Sequence, residues 1–288
     1  MLFYGGVYMR VAVVNFNSKK NIDVNIILMK KYICDAINNK VDLIIFPELC
    51  LTGYQYYMDN ITLLSKQELD NVIDLFLELS NRNNIYICFG TPSFGKEKIF
   101  NSAIIIGPDK TVKVYNKIHL YGDEHKIFSK GTKPMIFETE FGKIGFGICY
   151  DTINFPELIR YYAYKGVNLY INLSAIYLSD LKSSKDYLRT VIEYHVQSNG
   201  IYLASSNACG MQNDEKFLGC SCVVGPDAEN EIPIHYYCNS KLSIKPNMFT
   251  ADIELDENLR FIYDGNRFNR VPDYDIELYK SWYNQYGI

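Results

Sequence analysis

No stretch of this 288-residue sequence approaches the roughly 20 consecutive apolar residues needed to cross a bilayer. Arg10 also follows the opening Met1-Leu2-Phe3-Tyr4 too soon for a signal-peptide core to form. Nor is there an excess of positive charge. With 29 Lys and Arg against 33 Asp and Glu, the net charge is −4 and the pI about 5.7, so neither nucleic acid nor a membrane surface is an expected partner. Histidine is scarce: the four residues, at 119, 125, 195 and 235, form neither HExxH nor another paired-ligand spacing, and no metal is expected. The eight cysteines include no CxxC pair and lie on mostly apolar segments of a chain far larger than a disulfide-stapled domain. They read as free thiols of a soluble, cytoplasmic protein, with Cys220 and Cys222 sharing one face of a strand. The nine prolines and eighteen glycines are scattered rather than clustered, and no linker composition or repeat of about 20 to 50 residues interrupts the chain. One domain over 1–288 is expected, with 1–8 as an N-terminal extension or upstream start and about 265–288 as a C-terminal tail.

What the sequence has is alternation between short β-branched runs and longer helical patterns. Strands are predicted over 9–16, 41–46, 84–90, 102–107, 111–115, 142–149, 167–173, 200–206, 217–225 and 249–255; helices over 22–38, 66–82, 155–165 and 185–198. Ser65 with Glu68 three residues on fits a capping box, and Leu69, Val72, Ile73, Phe76 and Leu79 give the following helix its apolar face. Runs 41–46 and 167–173 are apolar nearly throughout, which suits strands covered on both sides. The class is α/β.

Three predicted strands end in a reactive side chain, where an α/β fold places its crevice. Phe46-Pro47-Glu48 follows the first, and a desolvated Glu48 is a candidate general base. Lys117 follows the second, where an ammonium can stabilise an oxyanion and favour a thiolate. Gly145-Phe146-Gly147-Ile148-Cys149 forms the third: alternate glycines thin one face of the strand and a turn then presents Cys149 as a nucleophile. Taken singly, Glu48 reads at least as well as a capping or salt-bridged carboxylate, and Lys117 and Cys149 read better as a surface lysine and a core thiol.

Together, FPELCLTGY, KIHLYGDE and GFGICYD followed by FPELIR resemble the nitrilase (carbon-nitrogen hydrolase) superfamily, amidase-like branch. The glutamate, lysine and cysteine stand in that family's chain order, 69 and then 32 residues apart. The resemblance runs from about Met9 to the Arg270-Val271-Pro272-Asp273-Tyr274 tail. It implies a four-layer α-β-β-α sandwich and a catalytic set of Glu48, Lys117 and Cys149, joined by Glu124 as a second glutamate. It also implies a substrate pocket built by Tyr54, Tyr150, Asn172 and Ser174, no cofactor, and a homo-oligomer, most simply a dimer. For the dimer, Pro156, Leu158, Ile159, Tyr161 and Tyr162 offer more apolar surface than one core face needs. The implied reaction is cleavage of a non-peptide C–N bond in a small amide or N-carbamoyl compound through a cysteine thioester. A nitrile substrate and a non-catalytic binding relative are the alternatives. Two departures stand out: one residue more than usual between Cys149 and Pro156, and His195 with Ser198 where relatives often carry Arg and Glu.

Overall fold

The computed structural model describes residues 8–226, 234–255 and 274–286. Residues 1–7 of the expected extension and the Arg270-to-Asp273 stretch of the tail lie outside them.

Apolar side chains at successive strand positions point to opposite faces, and here both faces are covered. In β1 (Tyr8–Asn15) and β2 (Leu43–Ile45), Val11, Val13, Leu43 and Ile45 join one core cluster. Ala12, Val14 and Ile44 join a second cluster with Met29, Ile33 and Ala36 of α1 (Ile22–Asn38). After the short α2 (Tyr54–Asp59), α3 (Lys66–Asn83) adds Leu69, Val72 and Phe76 to that second cluster. The capping box forms as predicted, with the Ser65 hydroxyl accepting from Glu68 N–H and the Glu68 carboxylate accepting from Ser65 N–H.

The sheet continues through β3 (Tyr86–Phe94), β4 (Ile99–Ile106) and β5 (Val112–Asn116). A second sheet takes β6 (Ile136–Thr139), β7 (Gly142–Ile148), β8 (Leu169–Ser174), β9 (Tyr202–Asn207), β12 (Cys222–Gly225) and β13 (His235–Cys238). With β14 (Asn247–Glu254), the orders are β14-β1-β2-β3-β4-β5 and β13-β12-β9-β8-β7-β6. Each sheet has a parallel centre, β1-β2-β3 and β7-β8-β9, flanked by antiparallel strands. The sheets pack face to face through the first cluster. Helices α5 (Pro156–Tyr164) and α6 (Leu181–Asn199) bury Leu158, Ile159, Tyr162, Leu188, Ile192 and Val196 against the outside of the second sheet. The result is the expected four-layer α-β-β-α sandwich.

Polar contacts tie the sheets together where the strands end. The Ser206 hydroxyl on β9 lies 2.8 Å from Val14 O and 3.0 Å from Ile45 O of the first sheet. Tyr115 of β5 donates to the Asp151 carboxylate behind β7 at 2.8 Å.

Some boundaries differ from the sequence reading. The run 217–225 is not one strand: Gly219 and Cys220, at φ +69° and +66°, turn the chain between β11 (Glu215–Leu218) and β12. β11 instead pairs with β10 (Cys209–Gln212). Cys220 therefore lies outside the strand that begins at Cys222, although both thiols are buried. α6 begins four residues before its predicted start because Asp180 caps it, accepting from Ser183 N–H at 2.8 Å. Gly200 ends that helix in the left-handed conformation and so does not open β9.

Candidate active site

Pro47 cannot extend the β2 ladder, and the chain then turns through Leu49 at φ +46°. Gly90 of β3 lies against this turn so closely that a Cβ would fall 2.4 Å from Pro47 O and 2.7 Å from Glu48 Cα. Glu48 is thus held at the mouth of the sheet, 1% exposed. Its Oε1 accepts from Lys117 Nζ at 2.7 Å and Asn101 Nδ2 at 2.8 Å, and its Oε2 accepts from Ala175 N–H at 3.0 Å. Burial raises the carboxyl pKa; Lys117 opposes and Glu124 adds to that effect, leaving it at about 7.

Lys117 follows β5 and is as buried as Glu48. Its backbone is clamped by Lys117 N–H to Asn101 O at 2.8 Å and Gly131 N–H to Lys117 O at 2.7 Å. The ammonium also donates to Glu124 Oε1 at 2.8 Å. Burial disfavours the charge, but Glu48 and Glu124 outweigh it and hold Lys117 above the ordinary lysine range. Glu124 sits on a 3-10 turn over Gly122–Lys126, where its Oε1 accepts from Tyr54 Oη at 2.8 Å and its Oε2 from Tyr121 N–H at 3.0 Å.

β7 stops at Ile148, and Cys149 takes φ +47° and ψ −94° before α4 (Tyr150–Asn154) begins. That backbone conformation is costly for a side chain with a Cβ, and the surroundings impose it. Asp151, fully buried, accepts from Ile148 N–H at 3.1 Å, Tyr115 Oη at 2.8 Å and His119 N–H at 2.8 Å, while His119 Nδ1 lies 2.8 Å from its Oδ1. His119 in turn stacks on Phe155 with ring centroids 3.5 Å apart. The alternate glycines earlier in β7 admit the layer behind it: a Cβ on Gly145 would meet the Tyr162 ring at 2.8 Å, and one on Gly147 the Tyr170 hydroxyl at 1.7 Å. Burial, then the Glu48 carboxylate, hold the Cys149 thiol well above its ordinary pKa, while Lys117 and the Ala175 N–H pull it down. The thiol therefore rests protonated, and Glu48, poised near 7, is the carboxyl beside it that can accept its proton.

These groups open onto a cavity of about 410 Å³ whose lining includes Glu48, Lys117, Glu124 and Cys149 together with Tyr54 and Tyr150. Asn172 and Ser174 are both buried in β8 and are not among the residues that line the cavity. Asn172 shares its strand face with Tyr170, accepts from Thr152 Oγ1 at 2.8 Å and donates to Ser205 Oγ at 3.0 Å, so it faces the helix layer behind the nucleophile. His195 brings its Nε2 within 2.7 Å of Thr152 O, and the backbone carbonyl of Ser198 accepts from Arg160 at 2.7 Å, so α6 braces α4 and α5 behind Cys149, His195 doing so through its side chain. The sequence reading missed Asn101 and Asp151. Among the described residues no group of three or more His, Cys, Asp or Glu side chains is placed to hold a metal ion.

The family model for carbon-nitrogen hydrolases matches residues 10–230. A probable nitrilase of Schizosaccharomyces pombe is 30% identical over 276 residues, covering 89% of this chain and 91% of its own. A glutamine-dependent NAD(+) synthetase of Thermotoga maritima is also 30% identical, over 83% of this chain but only 41% of its own length. An amidase from Nesterenkonia sp. AN1, solved as a cysteine variant in complex with butyramide, superposes with a TM-score of 0.77 at 23% identity, covering 96% of this chain and 98% of that one.

Proposed function

Because the chain belongs to the carbon-nitrogen hydrolase family, we propose that it cleaves the C–N bond of a small amide or N-carbamoyl compound through a thioester on Cys149, releasing ammonia or an amine. The observation that carries this reading is the buried Glu48-Lys117-Glu124 cluster sharing one cavity with Cys149 on its constrained turn. Glu48 takes the thiol proton as Cys149 Sγ attacks the carbonyl carbon. Lys117 and the N–H of Tyr150 hold the oxyanion. Collapse of the tetrahedral intermediate expels the nitrogen, which leaves with the proton from Glu48. Water then gives a proton to Glu48 and attacks the thioester, and the acid departs as the thiol is restored. Glu124 keeps Lys117 charged throughout.

The complex of the Nesterenkonia amidase with butyramide supports an amide. The name of the fission-yeast relative supports a second reading, a nitrile entering the same cycle through a thioimidate. An ammonia-release screen across simple amides, ω-amides, N-carbamoyl compounds and nitriles separates the two. Cys149→Ala should lose all turnover and keep its circular dichroism; wild-type-like ammonia release by that variant would sink the proposal.

We also propose that the enzyme acts in the cytoplasm, which its eight free thiols support, and that it is a homodimer. Leu158, Ile159 and Tyr162 are spent on the core, so the surface available for pairing is narrower than the sequence suggested. Tyr161 and Tyr164 of α5 remain 40% and 39% exposed, beside a groove shared with α7 (Ile276–Tyr286). A monomer by light scattering at micromolar concentration would refute the dimer.

A further inference from the structure

The cavity at Cys149 has room well beyond the reacting group. At about 410 Å³, and counting roughly 30 Å³ for each water-sized group, it accepts a dozen or so such groups, far more than a carboxamide head needs. Its inner end is polar and charged, whereas the outer walls are aromatic. Tyr121 and Tyr150 meet edge to face with centroids 5.3 Å apart, and Tyr177 and Tyr187 also line the cavity, Tyr187 one turn of α6 beyond Ser183. Rings that line a cavity offer faces and edges to a planar apolar group.

The charge inventory is equally specific. Lys117 is the only basic side chain among the described lining residues, and its ammonium is already engaged by Glu48 and Glu124 at 2.7 and 2.8 Å. Two carboxylates therefore stand against one ammonium. A substrate carboxylate would lose its hydration here without gaining a cation, and would lie near like charges.

We propose that the substrate is an uncharged amide bearing an aromatic ring, and that amides bearing a carboxylate are rejected; this rests on the hydrolase reading above. The carboxamide reaches Cys149 while the ring lies between the outer tyrosines. Tyr187, on the outward side of α6 and 49% exposed, is a specificity-determining residue.

Steady-state ammonia release from phenylacetamide, acetamide and 2-oxoglutaramate tests this. The wild type should show kcat/KM for phenylacetamide at least about tenfold above acetamide, as burial of a ring predicts, and higher still relative to 2-oxoglutaramate. Tyr187→Arg adds a cation to the outer wall without touching the reacting groups. It should raise the ratio of 2-oxoglutaramate to phenylacetamide turnover by about tenfold or more, as a new ion pair at partial exposure allows. That ratio is unaffected by the fraction of folded enzyme. A wild type that favours 2-oxoglutaramate, or acetamide over phenylacetamide, overturns the proposal and leaves the hydrolase reading standing, as does an unchanged ratio in Tyr187→Arg. Absence of turnover for every amide overturns both.

Discussion

Glu124→Gln separates a working carboxylate from a bystander in the Asp123-to-Lys126 charge cluster. The substitution keeps the volume but leaves one oxygen where there were two. Glu124 Oε1 serves Lys117 Nζ and Tyr54 Oη, while Oε2 serves Tyr121 N–H. If the amide oxygen stays with Lys117, its NH2 confronts the Tyr121 N–H; if it turns to Tyr121, the NH2 confronts the ammonium. Either way a buried donor goes unpaired, at a cost of about 1–3 kcal/mol in stability. In the second orientation Lys117 also loses a charge-assisted hydrogen bond worth about 1.5–3 kcal/mol, and in the first it keeps the bond but loses the facing negative charge. If that bond is realised while the oxyanion forms, kcat falls by roughly 10- to 150-fold, at 1.36 kcal/mol per decade. Asp123 is the control: it is exposed and pairs only with Lys126 at 2.8 Å, so Asp123→Asn should cost at most about 1 kcal/mol and leave kcat near wild type. Ammonia release from one amide, with urea melts of both variants, supplies all four numbers. Equal and small effects on kcat would refute the reasoning and leave Glu124 a structural carboxylate.

Three further outcomes follow from the geometry. Glu48, raised to about 7, must be ionised to accept the thiol proton, so kcat/KM should fall about tenfold per unit as pH drops below 7; a flat profile down to pH 5 rules Glu48 out as the base. Gly90→Ala drives a methyl into Pro47 O and Glu48 Cα, and should cost about 1–3 kcal/mol by thermal melting together with a larger loss of kcat than the same melt predicts; unchanged kinetics would show that the Glu48 turn adapts freely. Asp151→Asn leaves one of the Ile148, His119 and Tyr115 donors without its carboxylate oxygen, and should destabilise by about 1–3 kcal/mol while slowing alkylation of Cys149 by iodoacetamide; wild-type alkylation would show that the turn holds itself.

The reactive groups were legible in the sequence because each follows a strand, and strand ends are where a sheet exposes side chains. Asn101 and Asp151 were not, since a polar residue in an apolar run announces burial but not its partner, and their partners lie 53 and 36 residues away, at Glu48 and Tyr115. The surroundings of Asn172 and Ser174 were hidden for a related reason. Period-two alternation shows that they share a face with Tyr170, but in a strand buried on both sides only the packing decides which face looks toward helices. The break at Gly219 was punctuated in the sequence, and the apolar run around it hid the signal. α4 is five residues long, too short for a helical period to register.

The two halves of the site stand on different sheets, Glu48 and Lys117 at strand ends of one, Cys149 and the Ala175 N–H at strand ends of the other. The sandwich is therefore a calliper, its two sheets setting the gap between these groups. A slip of one sheet past the other by a single residue, about 3.3 Å, would break the hydrogen bond that Glu48 accepts from Ala175 N–H at 3.0 Å. On the proposed function, turnover is for that reason a finer gauge of sheet registration than any spectroscopic measure of strand content, and substitutions at residues of the inter-sheet cluster, such as Val13 and Leu173, should lower it while every secondary-structure element remains intact.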